Sequence, residues 1–573
     1  MIDMKTLSTV YSERMDTSCP WNEYPRPILK RDSFICLNGE WNFAYSESEP
    51  IDYSEKILVP FPPESALSGI NRGHGNKEKL YYKRDFSIPT GFNKGRIILH
   101  FGAVDQTCEV FINDKKIGEN AGGYLPFSFD ITDWISNGKN QLKVIAEDTL
   151  SHVYPYGKQK KKRGGMWYTP VSGIWQTVWL ESVPEQAIES IKITPKAESV
   201  RIEVETEAKY KRITLIDSNE VYEFNENEIT LTPKNPKHWT PENPYLYRFK
   251  IETEHDTVES YFALREISIK KINGVSRLCL NGTPYLFNGL LDQGYFPDGL
   301  FLPATIEGFE DDIKTAKLLG FNMLRKHIKV EPEIFYYLCD KLGIAVFQDM
   351  VNNSDYSFVR DTALPTIGLK RLRDKYLHKK KASRDFFKNH MQATINHLYN
   401  YPSVLYYTVF NEGWGQFSAD TLYKEAKKQD STRIIDATSG WFFQKESDVD
   451  SHHIYFKKLK VKIDPERPAV ISEFGGYSYR SEGHLYGEDN YGYKLFKTTE
   501  DFENAVANLY LNEVLPLVKS GISALVYTQV SDIEDETNGF ITYDRRIVKV
   551  SPEHMKNISK ILKENSNETT YCI

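Results

Sequence analysis

Two short stretches of this chain carry a carboxylate in the same setting. In Ser403-Val-Leu-Tyr-Tyr-Thr-Val-Phe-Asn-Glu-Gly-Trp-Gly-Gln416 a continuous apolar and aromatic run stops at Asn411-Glu412-Gly413. In Pro468-Ala-Val-Ile-Ser-Glu-Phe-Gly-Gly476 a shorter run stops at Glu473, with glycines just beyond. Runs of this kind, without turn residues, read as buried parallel strands. The carboxyl ends of such strands are where α/β sheets and barrels keep their chemistry. Two glutamates facing one pocket suit cleavage of a glycosidic bond. One protonates the leaving oxygen while the other attacks the anomeric carbon, or activates a water that does.

Positioning two strand ends at one mouth requires a barrel or an open sheet, and from about residue 271 the pattern supplies one. Short apolar runs recur at Tyr285–Leu291, Asn322–Arg325, Ala345–Phe347, Val404–Phe410, Arg433–Asp436, Val449–Ser451, Ala469–Ser472 and Ser523–Tyr527. Helical stretches such as Asp311–Leu319, Pro332–Leu342, Ala419–Lys428 and Asp501–Ser520 fall between them. Eight strand–helix units in residues 271–573 predict a (β/α)8 TIM barrel. The residues just past its strands would then share one mouth: Asp292, His327, Asp349, Asn411, Glu412, Trp441, His453, Tyr455, Glu473 and Tyr527. His327 is either a pocket residue or a satisfied core histidine, and Asp349 either touches substrate or orients a residue that does. No Gly-rich phosphate loop precedes a helix. His452 and His453 are adjacent, so their side chains diverge on a strand and make a poor metal site. No metal and no cofactor is expected.

Upstream the period is that of strands. Residues 1–182 alternate in short runs, among them Arg96–Phe101, Cys108–Ile112 and Gln141–Ile145, which predicts a β-sandwich. Residues 183–270 form a smaller β unit whose length suits an immunoglobulin-like sandwich. The basic run Lys158-Gln-Lys-Lys-Lys-Arg163 reads as a solvated loop, with an anion-binding patch as the alternative. The tyrosines after Glu473 (Tyr477, Tyr479, Tyr486, Tyr491, Tyr493) either wall the pocket or pack as a surface loop.

The 573 residues exceed one core, and the net charge of −7 gives no support for nucleic-acid or membrane partners. No segment approaches a membrane span or a signal peptide, and six scattered cysteines without CxxC spacing read as reduced thiols of a cytoplasmic protein. Cys339, among apolar helix neighbours, reads as core.

The motifs resemble glycoside hydrolase family 2, the β-galactosidase and β-glucuronidase family, nearly end to end. Leu37-Asn-Gly-Glu-Trp-Asn-Phe43, Val59-Pro-Phe-Pro-Pro-Glu-Ser65, Gly122-Gly-Tyr-Leu-Pro-Phe127 and Ser172-Gly-Ile-Trp175 resemble its N-terminal jelly-roll. Trp239 to Tyr247 resembles a corner of its immunoglobulin-like domain, and Asn281-Gly-Thr-Pro284 the start of its barrel. The resemblance implies that Glu412, in Asn-Glu, is the acid/base and that Glu473 is the nucleophile. Asn411 would bond the sugar 2-hydroxyl, and His327 and Tyr455 would lie where the family has a pocket histidine and tyrosine. It implies a carbohydrate substrate and allows a homo-oligomer. The chain departs from the family at Leu291-Asp292-Gln293, at Trp167 where an aspartate is common, and at Tyr527 where a tryptophan is common. It also lacks, in Thr537-Asn-Gly-Phe540, the lysine with which glucuronidases pair the sugar carboxylate. An unpaired uronate costs binding, so a neutral, galactose-like sugar is favoured and a retaining exo-β-glycosidase expected. The alternatives are a β-glucuronidase, an arabinofuranosidase-type enzyme, or a non-catalytic carbohydrate-binding protein.

Overall fold

The computed structural model describes residues 7–136, 138–369 and 373–566. The first unit packs two antiparallel sheets. One has Phe34–Cys36, Val178–Val183, Arg96–Phe101 and Phe127–Asp130; the other is six-stranded, with Lys79–Ser87 and Lys139–Glu147 at its centre. Arg96–Phe101 alternates buried and half-buried residues, as the period of two requires. Trp41, Phe43, Tyr82, Leu99, Val144 and Leu180 meet between the sheets.

A second sandwich follows, three strands from Ile188 to Leu231 facing four between Lys211 and Phe262. Its joint to the first is a buried charge cluster. Arg31 pairs with Glu181 at 3.0 Å and Asp256 at 2.7 Å and donates to the Ile188 carbonyl. Burial pushes the Glu181 carboxyl up, but Arg26, His100 and Arg31 more than offset it, so its pKa lies well below the carboxylate range. A depressed folded value means that this stabilisation is full above the unfolded value and is lost as pH falls. Arg31→Ala, which takes the cation from Asp256 and leaves Glu181 to Arg26 and His100, should cost about 3–5 kcal/mol in denaturant unfolding at neutral pH. The deficit should shrink in acid; an equal cost at all pH values would contradict this account.

The barrel comprises β1 (Phe287–Asp292), β2 (Met323–Lys326), β3 (Ala345–Asp349), β4 (Val404–Asn411), β5 (Ile434–Ser439), β6 (Asp450–Ile454), β7 (Ala469–Gly475) and β8 (Ala524–Thr528). All eight fall within a few residues of the runs read from sequence. Every ladder is parallel, in the order β5-β4-β3-β2-β1-β8-β7-β6. Among the described residues β5 and β6 form no ladder, and the Ser439 and Ser451 hydroxyls approach to 3.4 Å across that seam. Two of the eight strand–helix units lack their helix, because β5, β6 and β7 are joined by loops alone. The β5–β6 link is too short for one, and the β6–β7 link is polar and holds Pro465 and Pro468. The helices Lys381–Leu398 and Pro552–Ser566 follow β3 and β8.

The barrel floor is apolar: Phe287, Met323, Ala345, Phe347, Tyr406, Val470 and Val526 fill it, with Phe347 stacked on Tyr406 at 4.2 Å. Above them sits a layer of buried polar side chains, and the site lies on top. Cys19, Cys36, Cys108, Cys279 and Cys339 are free thiols, with Cys339 buried; Cys572 lies outside the described residues. No helix among the described residues is long and apolar enough to cross a membrane.

Candidate active site

Arg325 organises the mouth. It lies on β2 with its side chain 1% exposed, facing the barrel interior as Met323 does one pleat below. Its Nε donates to Asp349 Oδ1 (3.0 Å), Nη2 to Asn411 Oδ1 (2.9 Å), and Nη1 to Glu473 Oε1 (3.1 Å) and the Ser472 carbonyl (2.9 Å). One guanidinium therefore fixes the ends of β2, β3, β4 and β7 relative to one another. It is not among the residues expected at the mouth, although an arginine inside an apolar strand is itself a signal of a buried carboxylate partner.

Glu473 owes its position to a slip in pairing. Ser451 and His452 pair with Val470 and Ile471, but His453 pairs with Glu473, and the β7–β8 ladder slips at the same place. The extra residue turns both Ser472 and Glu473 toward the site, where strict alternation would send one outward. Ser472 Oγ joins Ser439 and Ser451 at 2.9 and 2.7 Å. Glu473 Oε2 accepts from the Tyr455 hydroxyl at 2.8 Å, and Tyr455 also meets Thr528 Oγ1 at 2.7 Å.

Glu412 leaves β4 with a left-handed backbone (φ 51°), continued by Gly413 (φ 75°). A Cβ on Gly413 would fall 2.1 Å from the Phe442 ring, so only glycine allows this turn. Glu412 Oε1 meets His453 Nδ1 at 2.9 Å, and that nitrogen is 3.5 Å from Glu473 Oε2. One oxygen of each glutamate and a His453 nitrogen lie within 4.8 Å of one another. His453 Nε2 faces Arg325 Nη1 at 3.4 Å and Ser439 Oγ at 2.8 Å. A guanidinium can only donate, so Nε2 accepts and Nδ1 carries the proton toward the carboxylates. These three side chains are close enough to hold a metal ion. With Arg325 already supplying Glu473 with a cation, and a proton on the facing nitrogen, they suit a shared-proton carboxylate pair better. Burial raises the Glu473 pKa; His453 opposes the shift, Glu412 adds to it, and Arg325 and Lys158 oppose it.

His327 Nδ1 bonds Asp349 Oδ2 at 2.7 Å. Burial first, then the charge of Lys158, pull its pKa down to about 3 in spite of Asp349, so the ring is neutral. Asn411, His327, Asp349, His453 and Tyr455 thus gather around the two glutamates. Two expected residues do not. Asp292 and Lys326 are register partners whose side chains face the surrounding helices rather than the interior, and they pair with each other at 2.7 Å. Tyr527 also faces outward, buried between Phe474, Tyr510 and Phe540. In each case the strand ends one residue out of phase with the pocket, and on β8 the inward position belongs to Thr528.

The basic run is solvated only in its middle, where Lys160, Lys161 and Lys162 are exposed. Lys158 is 9% exposed with its Nζ 5.6 Å from the Trp414 ring centre, and Arg163 pairs with Asp535 at 2.6 Å. Trp167 stacks on Trp414 at 5.4 Å, so the first sandwich helps to wall the barrel mouth. Of the tyrosines after Glu473, Tyr493 stacks on Tyr455 at 4.0 Å, while Tyr477, Tyr479 and Tyr486 pack on Phe496, Phe502 and Tyr543. Lys549 lies near Asn538 but is bound to Asp532 and the Thr537 carbonyl.

Three family models match in succession: "Glycosyl hydrolases family 2, sugar binding domain" over residues 71–184, "Glycosyl hydrolases family 2" over 174–265, and "Glycosyl hydrolases family 2, TIM barrel domain" over 274–546. A putative β-glucuronidase of Formosa agariphila is 24% identical over 431 residues, 68% of this chain and 48% of the relative. A β-galactosidase of Thermoanaerobacter pseudethanolicus is 23% identical over 485 residues, 78% of this chain and 60% of its own. The chain spans about half the length of these curated relatives. Among solved structures, a β-D-glucuronidase of Dictyoglomus thermophilum superposes with TM-score 0.73 at 18% identity, covering 95% of this chain and 98% of that one. A β-galacturonidase of Eisenbergiella tayi gives 0.67 at 20%, covering 94% and 97%. At these identities the likeness is one of fold.

Proposed function

Because this chain belongs to glycosyl hydrolases family 2, we propose that it is a retaining exo-β-glycosidase working by double displacement through Glu473 and Glu412. The observation that carries this reading is the approach of the two carboxylates to within 4.8 Å. Retaining enzymes hold theirs about 5–5.5 Å apart, whereas inverting ones leave about 6.5–9.5 Å for a water.

Glu473, whose carboxylate form is favoured against burial by bonds from Arg325 and Tyr455, attacks the anomeric carbon. Glu412 holds a proton because ionising it would place a second negative charge beside Glu473, and it gives that proton to the leaving oxygen. Once Glu473 is bonded to the sugar its charge is gone and Glu412 becomes the stronger acid. As a carboxylate it then takes a proton from the water that displaces Glu473, restoring the original anomeric configuration. His453 Nδ1–H, between the two, donates to whichever carboxylate is charged. The exo reading is supported by the mouth itself, narrowed by Trp167 on Trp414 and by Tyr493 on Tyr455.

For the sugar, the missing lysine in Thr537–Phe540 argued for a neutral residue, but Lys158 now brings a cation to the same mouth from another element. The matched relatives carry both names, galactosidase and glucuronidase, and do not favour either.

Glu412→Ala tests the acid/base role. Alkyl glycosides, which need a proton on the leaving oxygen, should slow by about 10²–10⁴-fold. Dinitrophenyl glycosides should still form the intermediate, and azide should then give the β-glycosyl azide. A wild-type reaction whose first product, read by NMR, has the α configuration would sink the mechanism.

A further inference from the structure

The loop that carries Lys158 is built to hold that side chain still. Gly157 takes φ 64°, and a Cβ there would lie 2.8 Å from the Tyr124 hydroxyl and 3.1 Å from the carbonyl of Ile328, the residue after His327. Only glycine lets the loop press this closely on the end of β2. On the other side Gln159 is clamped at both ends. Its Nε2 donates to Asp105 Oδ2 (2.9 Å) and the Tyr124 hydroxyl (3.1 Å), and its Oε1 accepts from the Val171 amide (2.7 Å). The Lys158 carbonyl accepts from Tyr168 N, and Lys160 N donates to the Tyr168 carbonyl, at 3.0 and 3.2 Å. Tyr168 is itself anchored by its hydroxyl to Glu536 of the barrel.

Between these fixed neighbours the Lys158 side chain runs into the mouth, nine-tenths buried, with its Nζ over Trp414, two residues beyond Glu412. Its charge is felt at both His327 and Glu473. Yet among the described residues no carboxylate or other acceptor meets Nζ. Other deeply buried cations around the barrel meet carboxylates: Arg325 with Asp349 and Glu473, Lys326 with Asp292, Lys329 with Glu331, Lys549 with Asp532. The stem is packed while the ammonium opens to the mouth, and a rigid loop that holds an ammonium there without a counter-ion is preorganised for an anion that arrives with the ligand.

We propose that Lys158 is the glycone-recognising cation of this site, and that the sugar it takes bears an anionic group, a carboxylate or a sulfate. The proposal rests on the glycosidase reading only in placing a sugar beside Glu412 and Glu473. The anion would be met by an ammonium from the first sandwich, across the domain junction, rather than by a lysine following β8.

The test compares kcat/KM for 4-nitrophenyl β-glucuronide, β-galacturonide, 6-sulfated β-galactoside, β-galactoside and β-glucoside in wild type, Lys158→Met and Lys158→Arg. One of the anionic glycosides should lead the neutral ones, and which one leads tells carboxylate from sulfate. Lys158→Met should collapse that preference about 10²-fold, mainly through KM, with Lys158→Arg retaining part of it. The melting temperature of Lys158→Met should hold, because no ion pair is lost; a structural ion pair would make it fall. Neutral glycosides turned over as well as every anionic one, or an equal loss on both in Lys158→Met, would overturn the proposal and leave the glycosidase reading intact. Calorimetry with free glucuronate, galacturonate and galactose covers the opposite case. Uronate binding that vanishes in Lys158→Met, with no glycoside hydrolysed by wild type, upholds Lys158 and sinks the glycosidase reading.

Discussion

Glu473→Ala should abolish hydrolysis, with kcat lowered ~10⁴-fold or more, because the covalent route disappears with its nucleophile. The alanine leaves a space where a carboxylate oxygen stood, and azide entering it should restore turnover and yield the α-glycosyl azide by a single inversion. The opposite anomer from the Glu412→Ala rescue assigns the two glutamates independently of any rate. The variant should stay folded, since Arg325 keeps Asp349 at 3.0 Å and Asn411 at 2.9 Å as partners. Activity retained within about tenfold in Glu473→Ala would remove this residue from the mechanism.

Arg325→Met should have the largest combined effect on stability and chemistry. It would strand Asp349 and Glu473, both nearly fully buried, and free the Asn411 amide. Breaking a buried pair from one side costs about 3–5 kcal/mol, and here one cation serves two carboxylates. Arg325 also pulls the Glu473 pKa down. Without it the group takes up its proton at higher pH, so the acid limb of the kcat/KM profile should move upward while the alkaline limb, set by Glu412, moves less. Arg325→Lys, which keeps the charge and loses the fork, should recover part of the stability and little of the alignment. A pH profile unchanged in Arg325→Met would mean that Glu473 does not depend on this cation.

Glu412, Glu473 and the eight barrel strands were legible in the chain because each signal is local. Apolar runs of strand length, each ended by a polar residue, need no tertiary information to be recognised. Asp292 and Tyr527 show where that reasoning stops. Both end an apolar run as Glu412 does, yet alternation sends one to Lys326 and the other into Phe474 and Phe540. Whether a strand's last residue points in or out turns on a single step of register, and a run of apolar residues buried on both faces carries no alternation from which to read the phase. Glu473 would be misjudged by the same rule were it not for the slip beside Ser472, which exists only as a pairing between β6, β7 and β8.

The sequence by itself determined the order of the units, the barrel, and the pair of glutamates that suits glycosidic chemistry. It did so because strand periodicity and strand ends are written in neighbouring residues. The tertiary structure alone decided that Arg325 ties four strand ends together and that Lys158, 254 residues before Glu412 in the chain, reaches the mouth from the first sandwich. A charge run looks the same in sequence whether it is bathed in water or buried. What separates the two is which surface the loop docks on, and that follows from packing between units, where Gly157 meets Ile328 and Trp167 meets Trp414.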